Sequence, residues 1–150
     1  VLDHRPSVRQ AVPMARLPLA VAVSFPSDAD GIRATLGAMP LVRLALQTLS
    51  TTAHWSADKQ SAMAKDFTDL LGDLMAKGVE CIHLFIAAPN SVVFTLGRHV
   101  DDRLHPEVLV YQYERSASPP FPWAVKMPTH GQSAAQIVRS GAIPIPPAGT

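Results

Sequence analysis

The chain has 150 residues, of which 47% are hydrophobic, and this length and composition suit one domain with a single core. The 13 basic and 12 acidic side chains give a formal net charge of +1, which argues against a broad basic surface for duplex nucleic acid and leaves room for a small anionic ligand. No apolar run approaches the ~20 residues of a transmembrane helix. The single Cys81 excludes an internal disulfide and a multi-cysteine metal site.

The first part of the chain predicts an arm followed by a strand, a helix and a second strand. Residues 1–16 lack sustained periodicity and contain two prolines, so we interpret them as a linker or an arm that packs on another surface. The Val-rich run 17–25 predicts the first strand. Asp28 is a candidate cap for a short helix that ends near Gly37. Residues 41–49 predict a strand with one partly exposed face.

The clearest periodicity lies in residues 56–77, where apolar side chains fall on one stripe of a helix. Ser56 is a good N-cap for this helix and Gly78 is a good residue to end it. Residues 79–88 then form an apolar run without polar alternation, which is typical of a strand covered on both faces. Cys81 lies at the start of this strand, and we predict that it is buried in the core.

This central strand runs directly into a predicted helix, residues 90–100. Pro89 pre-sets a helical φ, and Asn90 or Ser91 can cap the amides of the first turn. The free N–H groups and the dipole of a helix that starts at the carboxyl end of a parallel strand favour an anion. Most such joints in α/β domains bind nothing, so this geometry alone leaves a binding role and a purely structural role open.

The C-terminal part of the chain predicts two further strands and a short helix. Residues 107–113 form a strand, residues 123–127 return as an antiparallel edge strand, and residues 132–139 form a short helix before the proline-rich tail 141–150. Strands that alternate with helices predict a mostly parallel sheet with right-handed crossovers. We therefore predict an α/β, Rossmann-like domain over residues 17–140, flanked by helices and with an antiparallel edge strand.

Several motifs of catalysis and cofactor binding are absent from the sequence. It contains neither G-x-G-x-x-G, nor G-x-x-x-x-G-K, nor G-x-S-x-G. His99, Asp101, Asp102 and His105 are close enough in sequence to hold a metal, but a solvated loop after a helix is the favoured interpretation. His83 lies in the apolar strand, where a hydrogen bond within the core would satisfy it. We predict no catalytic residue, no metal site and no cofactor.

The candidate binding site lies at the carboxyl ends of the parallel strands, because ligands of open α/β sheets gather there. The residues predicted at this edge are Ser24, Phe25, Pro26, Ser27, Ala88, Pro89, Asn90, Ser91, Tyr113 and Arg115. Three aromatic residues are candidates for stacking on a base and three basic residues for contacting a phosphate, namely Phe25, Tyr113, Trp123, Arg115, Arg33 and Lys126. The alternative is a core position for Phe25 and Trp123 and a solvated surface for the basic residues.

The order and spacing of these segments resemble the C-terminal half of SAVED domains, the cyclic-oligonucleotide sensors of bacterial CBASS and type III CRISPR antiphage systems. The residues that carry the resemblance are His83-Leu84-Phe85-Ile86-Ala87-Ala88-Pro89, Leu96-Gly97 and Val108-Leu109-Val110-Tyr111-Gln112-Tyr113. The earlier run 20–25 is similar to the first strand of the family. The resemblance covers about residues 17–127.

The resemblance implies one CARF-like half of a sensor that binds a cyclic oligonucleotide, a tri- or tetranucleotide rather than a dinucleotide. It also implies an antiphage effector in another domain or subunit, assembled or activated when the ligand bridges two surfaces and the chain self-associates. Two alternatives stay open: a ring-nuclease-like enzyme that degrades the cyclic oligonucleotide, and an α/β scaffolding domain without a small ligand. We expect a cytoplasmic location and no contact with a membrane, because nothing resembling a signal peptide precedes the first strand.

Overall fold

The computed structural model describes residues 2–3, 16–22, 27–46, 56–129, 131–132 and 134–140. Within these ranges the elements in chain order are β1 (Leu2–Asp3), β2 (Arg16–Ala22), α1 (Ala29–Leu36), β3 (Val42–Leu46), α2 (Ala57–Ala76), β4 (Cys81–Ala87), α3 (Asn90–Arg98), β5 (Glu107–Gln112), β6 (Trp123–Lys126) and β7 (Gln136–Arg139).

These strands form one sheet in the order β1-β3-β2-β4-β5-β6-β7. The four central strands β3, β2, β4 and β5 are parallel, and β1, β6 and β7 extend the sheet with antiparallel pairs at its two ends. The connection through α1 leads from β2 to one side of the sheet, whereas the connection through α3 leads from β4 to the other side. The predicted Rossmann-like, mostly parallel α/β fold is therefore confirmed, and its topological switch point lies between β2 and β4.

Helices cover both faces of the parallel strands, which explains why β4 is apolar at almost every position. On one face α2 and α3 pack on β2, β4 and β5, with a core that includes Leu19, Leu71, Phe67, Ile82, Leu84, Val92, Leu96 and Val108. On the other face α1 packs on the same strands, with a core that includes Ala20, Ile32, Leu36, Phe85, Leu109, Tyr111 and Phe121. We refer to these as the α3 face and the α1 face of the sheet.

The helix boundaries follow the capping signals in the sequence. Ser56 caps α2 and Asp28 caps α1, each through its side-chain oxygen, as predicted. Gly37 and Gly78 follow the two helices with φ of 79° and 89°, a conformation that glycine adopts without strain. No helix in the described part of the chain is long and apolar enough to cross a lipid bilayer.

The C-terminal part of the sheet differs from the sequence prediction. Residues 136–139 form strand β7 and not a helix, and β7 pairs with β6 in the register Trp123↔Arg139. As a consequence β6 is an inner strand, so its predicted edge position is wrong. The physical reason is that the β-branched neighbours Ile137 and Val138 favour an extended backbone, and a free strand edge was available to pair with them.

Some predicted boundaries fall on residues outside the described ranges. This applies to residues 23–25 at the predicted end of the first strand, residues 47–49 at the predicted end of the second, and the tail 141–150. Within the predicted arm, Leu2–Asp3 pair antiparallel with β3 and Arg16 begins β2. The division of the chain into arm, domain and tail stays a prediction.

Candidate functional site

The carboxyl ends of β2, β4 and β5 lie side by side at one edge of the sheet. Ala22 and Ala87 are register partners, so the chain leaves β2 and β4 at the same level. The predicted site residues that follow the ends of β4 and β5 within a few positions are Ala88, Pro89, Asn90, Ser91, Tyr113 and Arg115, and we call these the carboxyl edge. Ser27 lies just before α1, five residues after the end of β2. The other predicted site residues, Ser24, Phe25 and Pro26, lie outside the described ranges, so their placement stays a prediction.

The N-terminus of α3 begins at the carboxyl edge without a side-chain cap. Pro89 occupies the N-cap position with ψ of 153°, and its side chain has no hydrogen-bond acceptor. The prediction that Asn90 or Ser91 caps the helix is wrong, because Asn90 is already the first helical residue. The N–H groups of Val92 and Val93 donate to the Pro89 carbonyl at 3.0 and 3.1 Å, which leaves the two preceding amides pointing out of the helix end.

The start of α1, by contrast, is closed by its own carboxylate and by a loop. Asp28 Oδ1 accepts the N–H of Gly31 at 2.9 Å. A Cβ atom on Gly31 would lie 2.4 Å from the Asp28 carboxylate and 2.6 Å from Cγ of Pro120. Only glycine therefore lets the segment after β5, residues 113–122, approach α1 so closely. Of the helix N-termini at this edge, that of α3 is the more accessible to an anion.

Four aromatic side chains form a cluster on the α1 face that reaches the carboxyl edge. Phe85 stacks on Tyr111 with ring centroids 4.5 Å apart and meets Phe121 edge-on at 4.7 Å. Tyr113 packs edge-on against Phe121 at 5.5 Å, and it remains 51% exposed. The cluster thus supports a tyrosine ring at the edge of the sheet. Sequence reasoning identified Tyr113 but missed Phe121, whose position depends on how the 113–122 segment folds back.

A buried hydrogen bond links β4 and β5 near the centre of the sheet. His83 Nδ1 and the Tyr111 hydroxyl are 2.9 Å apart, and the His83 side chain is 2% exposed. Burial, with the Arg16 charge adding to it, lowers the pKa of His83 to about 4, and burial raises the pKa of Tyr111. His83 is therefore neutral near pH 7, and the prediction that it is satisfied within the core is confirmed.

The opposite edge of the parallel strands carries Cys81 and an ion pair. Cys81 is buried as predicted, and desolvation, followed by the charge of Glu107, raises the pKa of its thiol to about 11. Lys126 Nζ lies 2.9 Å from Glu107 Oε2. Lys126, a candidate from the sequence for contacting a phosphate, does not lie at the carboxyl edge, because β6 runs antiparallel to β5 and carries this residue to the other end of the sheet.

Two further candidates from the sequence lie apart from the exposed ring of Tyr113. Trp123 begins β6 on the α3 face, where its Nε1 donates to Glu114 Oε1 at 2.7 Å. Its ring therefore cannot form one stacking platform with Tyr113, which lies on the α1 face. Arg33 lies on the exposed side of α1 and pairs with Asp30 at 3.7 Å. The exposed Arg115 is the basic candidate that follows a parallel strand end.

The polar loop after α3 is held by contacts among its own residues. The Asp101 N–H donates to His105 Nδ1 at 2.9 Å, and Arg103 Nε donates to Asp101 Oδ1 at 3.3 Å. The Arg103 hydrogen bonds lower the pKa of the Asp101 carboxyl. Across the described ranges no cluster of three or more metal-ligating side chains occurs. These contacts agree with the interpretation of this segment as a solvated surface loop.

Comparisons with known proteins point to one family. The sequence profile of the SAVED family, "SMODS-associated and fused to various effectors sensor domain", matches residues 4–127. No curated protein sequence matches the chain.

Solved structures of Cap4, a SAVED/CARF-domain containing receptor from Acinetobacter baumannii, are similar to this chain. With the cyclic trinucleotide 2′3′3′-cAAA bound, the receptor is 15% identical with a TM-score of 0.59 over 85% of this chain and 28% of the receptor. With 3′3′3′-cAAA bound, the receptor is 17% identical with a TM-score of 0.51 over 85% of this chain and 28% of the receptor. A further structure of the receptor is 17% identical with a TM-score of 0.50 over 86% of this chain and 24% of the receptor. The chain thus spans about a quarter of the receptor. At identities this low, the structural match establishes a shared fold and nothing more.

Proposed function

Because the chain belongs to the SAVED family of sensor domains, we propose that it binds a cyclic oligonucleotide at the carboxyl edge. A tri- or tetranucleotide is the favoured ring, and an antiphage effector in another domain or subunit is the proposed output. The observation that most strongly supports this site is the uncapped start of α3, directly after β4 and beside the switch point of the sheet. Ligands of open α/β sheets bind at this position.

The start of α3 suits the phosphates of such a ligand. Its first amides point toward the space beyond the strand ends, and the helix dipole places partial positive charge there. Ala88 precedes the helix, so a small side chain leaves the backbone accessible at the end of β4. The exposed guanidinium of Arg115, which follows β5, would add a full positive charge at the same edge.

The aromatic cluster suits a base. The exposed ring of Tyr113 is held from behind by Phe121, so a base that stacks on it would find a ring already fixed in place. Stacking of a base on an aromatic side chain contributes about 1–3 kcal/mol. A cyclic oligonucleotide alternates phosphates and bases, and the carboxyl edge offers one kind of contact for each.

The chain supplies one wall of such a site, and this suggests how ligand binding would activate an effector. Its strand ends form a single edge, and a ring-shaped ligand has a second side that needs a second surface. A ligand held between two protomers, or between this chain and another half-domain, stabilises the assembled form by mass action. Binding would then shift the population of the effector toward its active assembly.

A charge placed at the start of α3 tests the proposed site. Ser91 is exposed in the first turn of α3. The negative charge of Ser91→Glu should stabilise the helix through its dipole and at the same time repel phosphates. We expect Ser91→Glu to weaken binding of cyclic tri- and tetra-adenylates in calorimetry, whereas the matched neutral variant Ser91→Gln retains it. Equal affinities for the two variants would contradict the placement of a phosphate at this helix.

Chromatography of the ligand after the titration separates the three functional interpretations. Recovery of bound, intact cyclic oligonucleotide supports a sensor. Conversion of the ligand to a linear product would assign the ring-nuclease alternative. In that reaction a 2′-hydroxyl held in line gives up its proton and attacks the neighbouring 3′-phosphate, and the 5′-oxygen leaves and takes up a proton, so that the product carries a 2′,3′-cyclic phosphate and a 5′-hydroxyl. Absence of binding to di-, tri- and tetranucleotides of both linkage types would leave the scaffolding alternative.

A further inference from the structure

An apolar groove of about 270 Å³ lies on the α3 face of the sheet and extends from the carboxyl ends of β4 and β5, at Ile86 and Gln112, toward Met127. One wall is formed by Val93 and Gly97 of α3 and by Val100, which follows the helix. The other wall is formed by β5, β6 and the residue after β6, with Val110, Trp123, Val125 and Met127. We call this the α3–β6 groove. Its lining is almost entirely apolar, so water in it gains few hydrogen bonds and an apolar occupant is favoured.

The uncovered surface extends from the groove onto β7. Val110 pairs with Val125, and Val125 pairs with Ile137, so these three side chains lie in one row on the α3 face. Ile137 is 76% exposed, although it is a β-branched residue within a strand. A contiguous apolar surface of this kind marks a place where another segment packs.

We propose that the α3–β6 groove is the docking site of the proline-rich segment 142–147 of the same chain. This segment reads Ala142-Ile143-Pro144-Ile145-Pro146-Pro147, and residues 141–150 contain no charged side chain. Those residues lie outside the described part of the chain. The proposal concerns the protein without ligand and does not depend on the proposed function.

The point at which the chain leaves β7 places the segment next to the groove. Arg139 is the register partner of Trp123, which lines the groove. The Ser140 N–H donates to the Pro122 carbonyl at 3.0 Å, and the Ser140 hydroxyl donates to the Phe121 carbonyl. The backbone is thus fixed beside Trp123 immediately before the segment begins.

The segment is also long enough to lie along the groove. Ten residues in a polyproline conformation span about 30 Å. Trp123 and Met127 mark the two ends of the sheet wall, and four strand steps between them amount to about 13 Å. The segment therefore exceeds the length of the sheet wall that it would have to cover.

The chemistry of the segment fits that of the groove. Proline has no backbone N–H, so a segment with three prolines leaves few donors unpaired in an apolar groove that offers few acceptors. Proline-rich segments dock in aromatic-lined grooves because their extended conformation is formed in advance. Trp123 supplies the aromatic ring here.

Fluorescence of Trp123 tests the docking in the full chain. The chain has two tryptophans, so Trp55→Phe leaves Trp123 as the single reporter. In this background we expect removal of residues 141–150 to shift the emission to the red, raise acrylamide quenching, and lower Tm by about 4 °C. The substitutions Ile143→Ser and Ile145→Ser together should reproduce the change in the intact chain.

A filled groove provides the matched test. A Cβ on Gly97 would meet nothing within 4 Å, so Gly97→Leu can extend into the groove without a backbone clash. We expect Gly97→Leu to displace the segment, so that the later removal of residues 141–150 no longer changes Tm. Gly72→Leu is the control, since Gly72 also lies in a helix with open space around it but does not line the groove.

The outcomes decide between this segment and another occupant. Unchanged emission, quenching and Tm after removal of residues 141–150 would overturn the proposal. If quenching of Trp123 instead fell with rising protein concentration, in both the full and the shortened chain, a second copy would be the occupant and the proposal would equally fail. Quenching that depends on residues 141–150 at every concentration supports docking within one chain.

Discussion

The two edges of the parallel sheet use their polar groups in different ways. At the edge where the parallel strands begin, Lys126 pairs with Glu107 and the Cys81 thiol is buried beside them. At the carboxyl edge, the first amides of α3 lack a side-chain cap and the ring of Tyr113 is half exposed. Paired polar groups contribute to folding, whereas groups left without a protein partner are available to a ligand.

The same comparison separates the buried middle of the sheet from its carboxyl edge. His83 and Tyr111 satisfy each other in the core, at a distance from the proposed ligand contacts. A change there should therefore alter stability without altering affinity, and a change at the carboxyl edge should do the reverse. This division can be tested from both sides.

The largest expected effect is a loss of stability as the pH falls, caused by His83. Its folded pKa of about 4 lies below the unfolded value of 6.5, so folding favours the neutral ring. The contribution is fully present above pH 6.5 and is lost as the pH falls from 6.5 to 4, where both states become protonated. The pKa difference corresponds to about 3 kcal/mol of unfolding free energy.

Urea unfolding at several pH values measures this effect, and His83→Asn is the matched control. Asparagine can place an acceptor near the position of Nδ1 for the Tyr111 hydroxyl, and it does not titrate in this range. We expect the unfolding free energy of the variant to depend much less on pH between 6.5 and 4 than that of the unchanged chain. An identical slope in the variant would show that other groups dominate, and a loss of ligand affinity in the variant at pH 7 would contradict the separation of core and edge.

The second effect is on binding and comes from Tyr113. Because its ring is exposed and rests on Phe121, Tyr113→Ala should remove a stacking surface worth about 1–3 kcal/mol of binding free energy. Tyr113→Phe keeps the ring and should keep most of the affinity. Calorimetry with a cyclic tri- or tetra-adenylate, alongside Tm, measures both. A large fall in Tm with unchanged affinity would assign Tyr113 to the core and remove it from the site.

The predictability of the fold from sequence follows the strength of local signals. The α2 helix was predictable to within a residue, because Ser56 and Gly78 mark its ends and its apolar stripe is continuous. The parallel order of the central strands follows from the alternation of strands and helices. Strand β7 was not predictable, because four residues carry too little periodicity and their conformation depends on pairing with β6.

The candidate site shows the same limit. The strand-to-helix joint at Ala88 and Pro89 was evident from the sequence, since an apolar run stops there at a proline. The identity of the cap was not, because the choice between Pro89 and Asn90 depends on one backbone angle. Lys126 was placed at the wrong edge because the direction of β6 is set by the 113–122 segment, whose path depends on contacts with α1.

The smallest expected effect belongs to the ion pair at the edge where the parallel strands begin. Lys126 and Glu107 are 26% and 30% exposed, so water and salt screen their attraction, and the pair should contribute about 1 kcal/mol or less to stability. Lys126→Met keeps the aliphatic stem while removing the charge, and Glu107→Gln keeps the shape of its partner. A double-mutant cycle in urea, at low and high salt, should give a small coupling energy that decreases with salt. Neither variant should change affinity for a cyclic oligonucleotide, because β6 carries Lys126 to the end of the sheet opposite the proposed contacts. A clear loss of affinity in Lys126→Met, with stability unchanged, would show that the ligand reaches this edge. The two edges of the sheet would then not differ in function as proposed.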